Sequence, residues 1–220
     1  MEENTMAEKK SSFLNMVLTL FLVTFFSAFI LGFVQDITHD AIVESKMKAQ
    51  NDAIKNILPQ FKELGEPVKA PCAGGGDSLE IFPAYGETKE LVGVAVKSWS
   101  KNGFGGIIQV MAGFSPEGNI TGYQVLEHKE TPGLGSKMDF WFKNSDKPGQ
   151  CVIGKNPGKN KLTVKKDGGE IDAITASTIT SRAFLESLRR AYETYRNSHI
   201  IPAEGELSQT GTSDNGGISL

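Results

Sequence analysis

Five hydroxyl side chains crowd one short stretch of this chain: Thr175, Ser177, Thr178, Thr180 and Ser181, in the run from Asp172 to Ser181 (DAITASTITS). Beyond it Phe184, Leu188, Ala191 and Tyr195 recur at helical spacing, which predicts an amphipathic helix from Ile179 to about Asn197. A helix start needs one hydroxyl as an N-cap, and five exceed that need. Free N–H groups and the helix dipole make such a terminus a natural anion site, so the run reads as a phosphate cradle. It is not a P-loop, because no G-x-x-x-x-G-K-[ST] is present.

Two other stretches have chemical potential. His128 to Gly135 (HKETPGLG) follows a predicted strand. Pro132 and Gly133 suit the centre of a type II turn. The same stretch gathers an imidazole, a carboxylate, a hydroxyl and exposed backbone N–H groups, a convergence suited to the edge of a heterocycle. Composition leaves both readings open. Gly103-Phe104-Gly105-Gly106 is either a hairpin turn or a backbone kept bare so that a flat ligand can approach.

Composition removes several alternatives. Lys plus Arg is 23 against 26 Asp plus Glu, a net charge of −3, whereas a phosphate-tracking nucleic-acid binder carries a basic excess. Two cysteines, Cys72 and Cys151, exclude a disulfide-stapled scaffold and a four-thiolate metal site, and leave their pairing open. The three histidines, His39, His128 and His199, are too far apart for a local two-histidine metal motif, so no metal site is expected.

The elements that position these stretches begin with Phe13 to Val34, 22 residues without a charge. At 1.5 Å per residue they span ~33 Å, enough for a hydrocarbon core of about 30 Å. The stretch is longer than the apolar part of a cleaved signal peptide, and no small-x-small site follows it, which favours an uncleaved anchor. Its polar members Asn15, Thr19, Thr24 and Ser27 can bond within the helix or to a neighbour. Lys9 and Lys10 precede it, while Asp36, Asp40 and Glu44 come before the next basic residues, Lys46 and Lys48. The near flank thus places 1–12 in the cytoplasm and the remainder outside it. Gln35 to Leu58 reads as a helix ended by Pro59, the main part of a helical stalk over 35–66. Pro67 to Asp77 is a loop by composition; strands are predicted at Leu91–Trp99, around Ile108–Phe114, at Ile120–Glu127 and at Lys161–Lys165. The tail 204–220 has no apolar pattern and reads as disordered. The fold class is α+β: one membrane helix, then a domain at 67–203 with an antiparallel sheet and flanking helices.

The quoted stretches resemble a known family. Asp172 to Thr178 resembles the D-x-x-[ST]-G-A-[TS] signature of FMN-binding domains that carry the flavin covalently, and HKETPGLG and GFGG resemble two further stretches of that domain. With a single N-terminal anchor, the layout of residues 10 to 200 resembles the G subunits of Rnf ion-translocating oxidoreductases. The C subunit of the sodium-translocating NADH:quinone reductase and a membrane-anchored FMN-binding sensory or scaffold protein are the alternatives. The resemblance implies FMN in phosphoester linkage to Thr178, placed there by a flavin transferase. It also implies flavin contacts from Glu130, Thr131, Gly133, Leu134, Gly135, Thr175, Ser177 and Thr180. The expected partners are other subunits of an Rnf-type complex in the cytoplasmic membrane and membrane lipid. The expected role is electron transfer between ferredoxin and NAD, coupled to ion transport, with no independent catalytic residue. Trp99 and Phe104 are candidates for the flavin face, or simply aromatic core; His128 is a redox candidate or a structural strand-end residue. One departure stands out: the signature's Gly-Ala is Ala176-Ser177 here. Alanine there is harmless at negative φ and costs about 1 kcal/mol or more at positive φ.

Overall fold

The computed structural model describes residues 13–72 and 77–198, so the cytoplasmic N-terminus expected at 1–12 and the tail expected at 204–220 lie outside the described residues. The chain divides into two compact units, one ending at Lys48 and the other starting at Ala49.

The first unit is the greater part of helix α1 (Phe13–Ile57), whose N-terminal stretch is long and apolar enough to cross a membrane. Its apolar side chains, from Phe13 through Val34, are exposed. The two threonines of this stretch are satisfied internally: Thr19 Oγ1 donates to the Asn15 carbonyl at 2.7 Å and Thr24 Oγ1 to the Leu20 carbonyl at 3.0 Å. A span in lipid needs this closure, because hydrocarbon offers no hydrogen-bond partner.

The second unit is built on an antiparallel sheet of β1 (Glu63–Leu64), β2 (Val68–Pro71), β3 (Ser78–Tyr85), β4 (Leu91–Gly103), β5 (Gly106–Phe114) and β6 (Ile120–Glu127). The order is β1-β3-β4-β5-β6, with β2 also paired to β3. Short helix α2 (Met138–Trp141) and long helix α3 (Thr178–Asn197) complete it.

Strand residues alternate between two buried faces. Val94, Val96, Val110, Ala112 and Phe114 join Phe184, Leu188 and Tyr195 of α3 in the larger core. There Phe184 stacks on Phe142 at 4.6 Å between centroids and meets Tyr123 edge-on at 4.7 Å. Burial pushes the Tyr123 phenol above its ordinary pKa, and its hydroxyl donates to the Met138 carbonyl at 2.7 Å, which ties α2 to the sheet. The opposite face, with Phe82, Ala84, Ala95 and Met111, is covered by Ala53, Ile54, Ile57 and Leu58. Two glycines permit this. A Cβ on Gly122 would lie 2.9 Å from Ile57 Cα, and one on Gly113 would lie 2.8 Å from the Ile57 carbonyl oxygen. Thr121 Oγ1 donates to that same carbonyl at 2.7 Å, so the sheet itself caps the end of α1.

Several expectations change. The helical stalk ends at Ile57 rather than 66, because Pro59 cannot continue the ladder and the chain turns into β1. The second compact unit begins at Ala49, within the stretch expected as stalk. The loop expected at Pro67–Asp77 contains β2, and β3 is an element that the residue pattern does not predict. Lys161–Lys165 is not a strand: Val164 makes an isolated bridge to Ile171, and a 3₁₀ turn occupies Lys165–Asp167. The return through Gly168 at φ +72° is too tight to form a longer ladder. Cys72 and Cys151 are both free.

Because the atoms that meet a Gly122 side chain belong to backbone, Gly122→Val is expected to cost about 1–3 kcal/mol of stability, the usual range for overpacking. Thermal melting of the full chain in detergent should show the loss; an unchanged melting temperature would remove the close contact between Ile57 and the sheet.

Candidate functional site

Helix α3 starts after a tight turn. Ser177 N–H donates to the Ile174 carbonyl at 3.0 Å, and Ala176 within the turn has φ +61°. Ser181 locks the turn from inside the helix: its hydroxyl accepts the Ile174 N–H at 2.9 Å and donates to the Ser177 carbonyl at 2.9 Å. Ser177 is the N-cap residue, yet its side chain makes no capping bond. The N–H groups of Thr178, Ile179 and Thr180 therefore have no acceptor among the described residues.

Next to this terminus lies a buried carboxylate. Glu130 Oε1 accepts the Gly105 N–H at 3.0 Å, and Glu130 Oε2 accepts the Thr180 hydroxyl at 2.5 Å. One side chain thus joins the GFGG hairpin, the HKETPGLG loop and the start of α3. The glycines make room for it. A Cβ on Gly103 would lie 2.7 Å from Oε1, and one on Gly135 would lie 2.6 Å from Oε2 and 2.9 Å from Thr180 Oγ1. A Cβ on Gly105 would collide with the Lys129 carbonyl. The bare backbone of GFGG therefore serves approach between two protein segments, and Gly106, at φ +107°, supplies the hairpin turn.

A cavity of about 350 Å³ opens between these segments, within the range of small-molecule sites. Its polar wall includes Glu130, Thr131, Ser177, Thr178 and Thr180, with the backbone of Gly135 and Ala176. Phe104, Leu134 and Ile179 supply apolar surface and are 71%, 40% and 49% exposed. The hydroxyls of Ser177 and Thr178 make no hydrogen bond to the described residues, whereas those of Thr180 and Ser181 are committed.

Most residues expected at a site are brought together here. Thr175 and Gly133 do not line the cavity. Gly133, at φ +74°, sits at the third position of a Thr131–Leu134 turn closed by the Leu134 N–H to the Thr131 carbonyl at 3.2 Å, as a type II turn requires. His128 faces its own loop: its Nδ1 lies 3.1 Å from the Glu130 backbone nitrogen, the structural reading of that residue. Trp99 packs elsewhere, under the Arg190 guanidinium at 4.2 Å, while Phe104 does reach the cavity. Ile179 is a wall residue that sequence reasoning misses, although its place off the Phe184–Leu188–Tyr195 stripe marks it as an apolar residue without a core to join.

The family profile described as "FMN-binding domain" matches residues 103–193, which span every wall of this cavity. The G subunit of the ion-translocating oxidoreductase complex of Vibrio vulnificus is 30% identical over 194 residues, 83% of this chain and 88% of that protein. The chain belongs to this G-subunit family. A second relative, the G subunit of the Na(+)-translocating ferredoxin:NAD(+) oxidoreductase complex of Acetobacterium woodii, is 31% identical over 192 residues, 82% of this chain and 90% of that one. The crystal structure of Shewanella oneidensis NqrC superposes with a TM-score of 0.41 at 19% identity, covering 64% of this chain and 70% of that one. That likeness is too loose to distinguish between families.

The turn before α3 gives a direct test. A left-handed conformation costs a non-glycine residue roughly 1–2 kcal/mol, while glycine loosens the unfolded chain by about 0.4–1 kcal/mol. Ala176→Gly is therefore expected to stabilise the protein by roughly 0.5–1 kcal/mol. Denaturant titration of the paired proteins checks this, and a destabilised Ala176→Gly would contradict the positive φ.

Proposed function

We propose that this chain is the membrane-anchored flavin subunit of an Rnf-type complex, carrying FMN as a phosphoester on Thr178 and passing electrons between other redox carriers of the complex. The observation that supports it most is the start of α3. Three N–H groups and the hydroxyl of Thr178, none of them bonded among the described residues, border one cavity, inside a segment that matches an FMN-binding domain. FMN, once bound, supplies one- and two-electron transfer.

The residues present fit such a group. Unpaired N–H groups at a helix start suit a phosphate, and the dipole offsets its charge. Phe104, Leu134 and Ile179 give apolar surface for a flat ring system, which explains why three large apolar side chains are left facing solvent. Thr131 and the backbone at Gly135 supply polar contacts at its edge. Attachment requires a flavin transferase with FAD as donor. Thr178 Oγ1 bonds to the FMN phosphorus, the pyrophosphate bond to AMP breaks, AMP departs, and the hydroxyl proton passes to a base of the transferase. A covalent tether suits a domain on the outer side of the cytoplasmic membrane, where a lost cofactor has no pool to replace it. The name of the Acetobacterium woodii relative gives ferredoxin and NAD as the ends of the electron path and sodium as the ion for that complex. The same electron path is our reading for this chain.

Thr178→Ala is expected to give a folded protein without covalent flavin, whereas Thr178→Ser keeps the bond because the hydroxyl stays on the same carbon. In-gel flavin fluorescence after denaturation and tandem mass spectrometry of the Thr175–Ser181 peptide are the readouts. Fluorescence that persists in Thr178→Ala defeats the assignment.

The side of the membrane is tested separately. Protease added to spheroplasts should cleave the chain beyond Ala49, and cleavage seen only with inverted vesicles would place the domain in the cytoplasm.

A further inference from the structure

We propose that Glu130 is a positioning residue that confines flavin attachment to Thr178, by holding Thr180 in a hydrogen bond and by fixing the loop that faces the start of α3. This inference rests on the attachment reading above.

Five hydroxyls stand within seven residues, and hydroxyl chemistry alone does not choose among them. The structure separates them by what each already does. Ser181 is spent on the turn, accepting the Ile174 N–H and donating to the Ser177 carbonyl. Thr175 lies outside the cavity wall. Thr180 faces the cavity but donates to Glu130 Oε2 at 2.5 Å. The hydroxyls of Thr178 and Ser177 make no bond among the described residues, and Ser177 is the N-cap while Thr178 opens the first turn of the helix. Glu130 thus holds the side chain of Thr180, the competitor of Thr178 on the cavity wall, in one fixed orientation.

The same side chain sets the distance across the cavity. Its other oxygen accepts the Gly105 N–H, so the Phe104 hairpin, the Glu130 loop and α3 are fixed against one another through a single buried group. Glu130 is 6% exposed, and its oxygens are met by an N–H and a hydroxyl rather than by a cation. A buried carboxylate in that situation depends on its hydrogen bonds, and losing them should loosen all three segments together. Attachment by a second enzyme is sensitive to such loosening, because a displacement of about 1 Å can cost on the order of 100-fold in rate.

The test uses the full-length chain in membranes, exposed to flavin transferase and FAD, with the initial rate of attachment normalised to folded protein and the adduct mapped by tandem mass spectrometry. Wild type, Glu130→Ala and Glu130→Gln are compared. Glutamine keeps the shape: its oxygen can accept the Gly105 N–H and its amide can donate to Thr180 Oγ1. The expected result is a fall of at least about tenfold in Glu130→Ala, with part of the remaining adduct on Thr180, and recovery of most of the rate and of the single Thr178 site in Glu130→Gln. A purely structural role would lower the yield of folded Glu130→Ala while leaving the rate per folded chain and the position of the adduct as in wild type, and that result overturns the proposal. If Glu130→Ala does not fold, Glu130→Gln decides: a loss of about tenfold there, despite a folded chain, shows that amide geometry cannot replace the carboxylate and overturns the hydrogen-bond account. A wild-type chain with no FMN on Thr178 would instead sink the attachment reading itself.

Discussion

A carboxylate taken out of water must have its oxygens met by donors, and each buried polar group left unmet costs about 1–3 kcal/mol. Glu130 meets this requirement with one N–H and one hydroxyl drawn from different walls of a cavity. The three walls come from separate parts of the chain: the β4–β5 hairpin, the loop after β6, and the start of α3. None of them is long enough to hold a shape by itself. What makes them one site is that a shared buried group cannot be satisfied unless all three are in place. The glycines at 103, 105 and 135 follow from the same demand, since each would push a Cβ into Glu130, Thr180 or the backbone beside it.

The sheet supplies the other half of the arrangement. Both of its faces are covered, by α3 on one side and by Ala53 to Leu58 on the other. A strand buried on both faces has little freedom to slide, because a shift of one residue would exchange the two sets of side chains. β4, β5 and β6 therefore present their ends at a fixed height relative to α3. The loop after β6 leaves the sheet at Glu127, and Glu130, three residues on, is already within reach of Thr180.

Much of this is legible in the residues, and the exceptions have physical causes. The hydroxyl run, the HKETPGLG loop and the GFGG hairpin stand out because their compositions exceed what caps and turns need, and all three meet at one cavity. The apolar stripe of α3 and the alternation of β4 and β5 identify those elements. β3 escapes a reading of the sequence because Pro83 interrupts it and because residues buried on both faces do not alternate. Lys161–Lys165 looks like a strand because Leu162 and Val164 are indeed buried, but they pack as a loop whose one bridge is too short to extend. The roles of Glu130 and Thr180 are invisible to spacing, since they are 50 residues apart and their bond is made only by the folded chain. The sign of φ at Ala176 is the open question raised by its replacement of glycine, and the fold answers it: the position is left-handed.

The way α1 ends bears on where this protein can be cut. The apolar span and the last turns at Ala53 to Ile57 are parts of one continuous helix, yet those last turns form one wall of the second core. Removing everything up to the first strand would strip Phe82, Ala95 and Met111 of their cover and leave a greasy, self-associating sheet face. The natural boundary for a water-soluble fragment therefore falls inside the helix, upstream of Ala53, at a place where neither a turn nor a proline marks it.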